Sequence, residues 1–220
     1  MSRALVILWV CFLGCTGDHA DPGSDPPPPV DTIPLDTVVS ESYRDSVTRI
    51  YWAHPDSVLP HLRPAAFPED VRIAVALLET SSGEGRLRFA HYLAEQGDRS
   101  VSAIVSLVDR CEDWNTLMTA LQTLGKLKAT RGVHSVARRL QTPNDWVRIA
   151  AAHALGDIGG DEAVESLVVA LDDTSDTVVS AALIALGKTG DPSVLDVVGE
   201  RLGHHNPRVR AAGVSAIGRL

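Results

Sequence analysis

Along the C-terminal half of the chain, apolar residues recur at helical spacing, and that pattern itself recurs every 31 residues. Val147, Ala151, Ala154 and Ile158 follow one another at steps of four, three and four, one stripe of a 3.6-residue helix. Ala150 and Leu155 widen the stripe, and Gly159 and Gly160 break it. Asp161 opens a second amphipathic run, with Val164, Leu167, Val168 and Leu171 on one face. The column Val147, Val178, Val209 keeps the 31-residue step, as do Leu124-Gly125, Leu155-Gly156, Leu186-Gly187 and Ile217-Gly218. Ala120, Ala151, Ala182 and Gly213 form another such column. A fixed period of this length is the mark of a solenoid or array.

Each unit therefore reads helix, short turn, helix. First helices are expected over 86–95, 115–127, 146–158, 178–189 and 209–220. Second helices are expected over 69–79, 99–110, 131–141, 161–172 and 192–202, the last opening on an Asp191 cap followed by Pro192. Gly83-Glu84-Gly85 reads as a linker, 40–53 as an irregular opening helix, and the proline-rich stretch from His54 to Pro68 as a connection. One unit cannot bury its apolar face alone, so neighbours stack and share a core. Ala150, Ala151, Ala181, Ala182, Ala211 and Ala212 should let first helices approach closely, and the Gly after Leu should end the helix or ease its turn. The fold class is thus all-α: a solenoid of stacked helix-turn-helix repeats.

Composition narrows the function. Ala, Val and Leu supply most of the 45% hydrophobic content and aromatics only 5%, which suits slim, closely packed helices. With 20 basic against 28 acidic residues the net charge is −8, a poor match to phosphate backbones, so no nucleic-acid partner is expected. Of the three cysteines, Cys111 falls in a helical pattern and reads as a small buried hydrophobe.

The N-terminus has its own pattern. Arg3 precedes an apolar run from Ala4 to Leu13, too short for a bilayer span and suited to the core of a secretory signal. Phe12-Leu13-Gly14-Cys15 resembles the lipobox of bacterial lipoproteins, with Phe12 where that family usually has Leu. The resemblance implies a signal peptide over 1–14, a lipidated Cys15, and a lipid-anchored protein of the cell envelope. Six of the thirteen prolines and a run of unpartnered aspartates follow, a composition that cannot fold and reads as a tether over 15–40. In polyproline form it would span about 75 Å at most. A helical cap and connection then fill 41–67, and repeats fill 68–220.

The repeat carries a family resemblance too. "NDWVRIAAAHALGDIGGDEAVESLVVAL" and "HNPRVRAAGVSAIG" resemble HEAT repeats, in the short variant named after phycobilisome lyases. The middle unit departs, with Val179 where Arg148 and Arg210 stand. The resemblance implies that this arginine pairs with an acid in a neighbouring unit. It implies that second helices line a concave face, where exposed His134, Arg138, Glu165, Val169, Asp196 and Glu200 would meet a protein or peptide partner. Trp114 and Trp146, near first-helix starts, read as partner anchors or as covers of a core edge. The chain stops inside a first helix, leaving the stripe Val209, Ala216, Leu220 without a second helix over it. A fragment of a longer repeat protein is the expected reason, a partner or second copy the alternative.

No catalytic pattern emerges: there is no HExxH, no GxSxG and no phosphate-binding glycine loop. None of the eight histidines precedes a Glu, unlike the His-Glu dipeptides of the HEAT-repeat iron hydroxylases. His204-His205 lies in an inter-repeat turn and reads as an exposed turn, with a metal pair there the alternative; Asp172, Asp173 and Asp176 read as capping and turn residues, with paired acids the alternative; neither metal nor cofactor is expected. The expected function is a non-enzymatic scaffold that binds another protein at a bacterial membrane. The alternatives are a lyase-like factor handling a prosthetic group, which the leader argues against, and a self-associating envelope module.

Overall fold

Two kinds of helix alternate because two apolar patterns alternate. The computed structural model describes residues 68–81 and 83–220. The signal peptide, Cys15, the tether and the 41–67 cap lie outside the described residues. The first-helix series is α2 (Gly83–Glu95), α4 (Trp114–Lys126), α6 (Asp145–Ile158), α8 (Asp176–Thr189) and α10 (Pro207–Ile217). The second-helix series is α1 (Pro68–Thr80), α3 (Asp98–Arg110), α5 (Val133–Arg138), α7 (Asp161–Val169) and α9 (Leu195–Glu200). From α4 onward successive first helices pack most extensively against one another and form one layer; the second helices form the other. No described helix is long and apolar enough to cross a membrane.

The stripe read from the sequence is the core. Val147, Ala150, Ala151, Ala154, Leu155 and Ile158 are all buried, and so are Val178, Ala182 and Leu186 one unit on. Gly159 and Gly160 end α6 with φ of 72° and 87°, a left-handed turn that favours glycine. Asp191 caps the next second helix, accepting from the Ser193 amide at 2.9 Å ahead of the helical fold that Pro192 opens.

Four expectations need correction. The glycine of each Leu-Gly pair does not end a helix: Gly125, Gly156 and Gly187 lie inside α4, α6 and α8. They are there for close approach. A Cβ on Gly156 would sit 2.8 Å from Ala185 Cα, and one on Gly187 2.7 Å from Ala216 Cα. Gly83-Glu84-Gly85 is no linker but the first turn of α2; Gly83 (φ 53°) turns the chain, and Glu84 accepts from Arg88 at 2.9 Å. The later second helices are not continuous α-helix. Short 3-10 turns flank them at Thr130–Gly132, Arg139–Gln141, Ala170–Asp172, Pro192–Val194 and Arg201–Gly203. Amides such as Asp173 N, bonded to Ala170 O at 3.3 Å, tighten the last turn and satisfy carbonyls at the helix end. Finally, α10 stops at Ile217, and Val209 and Ala216 are fully buried without a following helix. Ala216 lies against Gly187 of the preceding unit.

Asp113 caps α4, its carboxylate accepting from the Thr116 amide at 2.8 Å and hydroxyl at 2.7 Å. The Thr116 hydroxyl, then its amide and the Arg86 guanidinium, hold the Asp113 carboxyl below the usual carboxylate range. A depressed carboxylate lends stability that is full above its unfolded pKa, about 3.9, and is lost as pH falls through the lower folded value. Asp113→Ala is expected to cost about 1 kcal/mol at neutral pH, read by urea unfolding. The difference between Asp113→Ala and the parent should shrink as pH drops below that range.

Candidate functional site

The second-helix face carries the surface chemistry. His134, Glu165 and Asp196 occupy one register position on α5, α7 and α9, and Arg138, Val169 and Glu200 lie one turn further along the same helices. Residues four apart share a helix face. The structure leaves all six exposed, Val169 at 64%. His134 Nδ1 lies 3.6 Å from Glu162 of the next unit, and Arg138 lies 3.6 Å from Asp109 of the previous one. Asp172 is taken by Arg201 at 2.8 Å. Glu165, Asp196 and Glu200 form no ion pair among the described residues. The face is therefore graded: Arg131, His134 and Arg138 make α5 and its leading turn basic, while α7 and α9 carry unneutralised acid.

At the opposite ends of these helices the turns between units are held by arginine. Arg148 is buried, and its fork donates to both oxygens of Asp173 at 2.8 and 3.0 Å. It also donates to the carbonyls of Thr142 and Pro143 at 2.9 and 3.1 Å, and pairs with Asp145 at 2.9 Å. Asp173 first, then Asp145, hold the Arg148 proton still more firmly than usual. The expected pairing of this arginine with an acid of the neighbouring unit is what the structure contains. Asp173 is thus an ion-pair partner as well as a turn residue, accepting from Ser175 N at 2.8 Å. Arg210 repeats half of the arrangement, donating to the carbonyls of His204 and His205 at 2.8 and 2.9 Å.

The same turn gathers a polar cluster around the His204-His205 pair, with Asp176 as the member the sequence did not announce. Asp176, at the start of α8, lies 3.8 Å from His204 Nε2 and 3.4 Å from His205 Nε2. Asn206 donates to it at 2.6 Å. The two imidazole rings lie 4.3 Å apart between centroids, tilted by 33°. The Asn206 amide, then the charges of His205 and His204, hold the Asp176 carboxyl below the usual range. His205 is exposed as expected, but His204 is half-buried.

The remaining candidates are dispersed. Trp114 and Trp146 stand at the starts of α4 and α6, 45% and 63% exposed, more outward than covers of a core edge. Cys111 is half-buried, and burial pushes its thiol up, away from the reactive thiolate. His153 is driven toward its neutral form by burial and then by Lys188.

A family model described as HEAT repeats matches residues 105–187 and 165–220. No curated protein sequence matches the chain. Among solved structures, the complex of CpcE and CpcF of phycocyanin lyase from Nostoc sp. is similar at 17% identity, over 67% of this chain and 98% of that one, with a TM-score of 0.61. A designed armadillo repeat protein in complex with the peptide (KR)4 is similar at 16% identity, over 80% of this chain and 98% of that one, with a TM-score of 0.47.

Proposed function

This chain belongs to the HEAT-repeat family, and we propose that it is a non-enzymatic scaffold, lipid-anchored through Cys15 in a bacterial envelope, that binds a basic segment of another protein. The observation that carries the reading is the exposed pair Glu165 and Asp196, at one register position of α7 and α9, with Val169 and Glu200 one turn further along the same helices. Side chains at one register position of stacked units form a continuous strip, suited to an extended or helical segment. Unpaired acids along such a strip attract Lys and Arg and raise the association rate of a basic partner. An apolar Val169 gives the partner something to desolvate.

The anchor rests on the leader and on Gly14-Cys15. On this reading the binding strip lies on the outer side of a membrane, at the end of a tether. The phycocyanin lyase relative is itself a complex of two different chains, CpcE and CpcF, an arrangement in keeping with a protein partner here.

Two measurements test the reading. Mass spectrometry of the protein from bacterial membranes should find a diacylglyceryl-modified Cys15 as the first residue; an unmodified Met1 in the soluble fraction would refute the anchor. The partner captured by cross-linking from those membranes should be lost in a Glu165→Lys/Asp196→Lys/Glu200→Lys variant. Undiminished capture by that variant would refute the acidic strip as the site. A change in colour on mixing with a bilin would instead favour the lyase-like alternative.

A further inference from the structure

We propose that Asp176, His204 and His205 form a binding site for a divalent transition metal of the zinc class, joining two successive units. One donor pair already converges, and the third ring stands beside it. His205 Nε2 is 3.4 Å from one Asp176 oxygen, His204 Nε2 is 3.8 Å from the other, and all three donors lie within 4.8 Å of one another. Ligands around a tetrahedral zinc, each ~2.0–2.1 Å from the ion, stand about 3.3 Å apart. Bringing His205 and Asp176 onto an ion therefore takes a shift of about a tenth of an ångström, while the widest separation in the cluster, up to 4.8 Å, must close by as much as ~1.5 Å.

The backbone beneath the two histidines is fixed in advance. Arg210 Nη1 donates to the carbonyls of His204 and His205 at 2.8 and 2.9 Å. Arg148 holds the carbonyls at the equivalent turn, Thr142 and Pro143, in the same way. The site thus sits on a brace that the repeat uses elsewhere for structure alone.

The carboxylate is available for a reason that can be read from the repeat. Asp176 occupies the register position of Asp145, which is engaged by Arg148 at 2.9 Å. In the Asp176 unit that arginine is replaced by buried Val179. Released from its own helix, Asp176 turns to the next unit, where Asn206 Nδ2 orients it at 2.6 Å. Outer hydrogen bonds of this kind position metal-ligating carboxylates.

Two imidazoles and one carboxylate favour Zn²⁺, Ni²⁺ or Cu²⁺ over the hard cations Mg²⁺ and Ca²⁺. His205 is exposed and Asp176 and His204 are half-exposed, so water can fill the remaining positions. His204 Nδ1 accepts the Asn206 amide at 3.1 Å, which leaves the proton of a neutral ring on Nε2. Ligation by His204 requires its ring to turn about the broad Cβ–Cγ torsion and give up that contact. His205 and Asp176 are accordingly the principal pair, and His204 completes the site.

The test uses the full chain and zinc sulfate alone, by calorimetric titration and thermal unfolding. The chain has other histidines and cysteines, so a His204→Ala/His205→Ala variant sets the background. We expect one Zn²⁺ above that background, bound at least tenfold more weakly by His205→Ala and by Asp176→Asn. The thermal midpoint should rise with Zn²⁺ in the parent and not in the double variant, with no rise in Mg²⁺. His205→Ala keeps the carbonyl that Arg210 holds, so its fold is not at stake. Equal binding by the parent and the double variant, or unchanged affinity in His205→Ala, would overturn the site.

Discussion

Gly156→Val is expected to destabilise the protein by about 3 kcal/mol, the upper end of the usual cost of overpacking. A Cβ at this position would lie 2.8 Å from both Cα and Cβ of Ala185 and 3.0 Å from its carbonyl oxygen. The obstruction is mostly backbone, so no side chain can swing aside. The whole of α8 would have to move away from α6, and with it the shared core around Leu155 and Leu186, both fully buried. Gly156→Ala is the finer test. Alanine in a helix interior gains about 1 kcal/mol over glycine in intrinsic preference. The clash outweighs that gain, so a net loss of about 1 kcal/mol is expected. Gly199→Ala in α9 is the control, because nothing lies within 4 Å of the point its methyl would occupy. It should stabilise by up to about 1 kcal/mol. Urea midpoints of the three variants decide the matter. If Gly156→Val matched the parent, close approach would not be the reason for the glycine.

Arg148→Met is expected to cost about 3 kcal/mol. The loss is only partly that of an ion pair. Arg148 is 8% exposed and serves Asp173, Asp145 and two backbone carbonyls at once. Removing it strands a carboxylate whose side chain is 12% exposed, and leaves the turn carbonyls without a donor. Arg148→Lys should recover less than half of the loss, since an ammonium keeps the charge but not the planar fork that spans both oxygens of Asp173. Adding Asp173→Asn to Arg148→Met should cost less than the two single changes together, because the buried charge goes with its partner. A strictly additive double-mutant cycle would show that the two residues do not act as a pair.

The helices were legible because burial was periodic. Val147, Ala151 and Ala154 mark a buried stripe by spacing alone, and Gly159-Gly160 and Asp191-Pro192 mark ends by backbone preference. The role of Gly156 was not legible, because glycine signals both a helix end and a close contact. Only the position of Ala185 in space separates the two. The 3-10 turns around α5, α7 and α9 escaped for a related reason: three- and four-residue spacings place nearly the same residues on the buried side. On the surface, exposure at His134, Arg138, Glu165, Val169, Asp196 and Glu200 followed from their lying off the apolar stripe. The joining of Asp176 to the His204-His205 pair did not follow. The three residues occupy different register positions, and the release of Asp176 depends on a missing arginine at Val179, which is an absence rather than a motif.

The spacing of the cross-unit contacts has a consequence for how such a chain changes its length. Lys188 meets Asp157 across 31 positions and Arg201 meets Asp172 across 29, so each bond reaches only to the adjoining unit. Excising one whole period between α6 and α10 would hand Gly156 the methyl-bearing partner of Gly187, Ala216, with every other column still aligned. Excising a few residues more or fewer would put glycines opposite bulk and carboxylates opposite apolar walls. The gene for such a protein can therefore gain or shed material in whole units without redesign of the interior, and is penalised for almost any other increment.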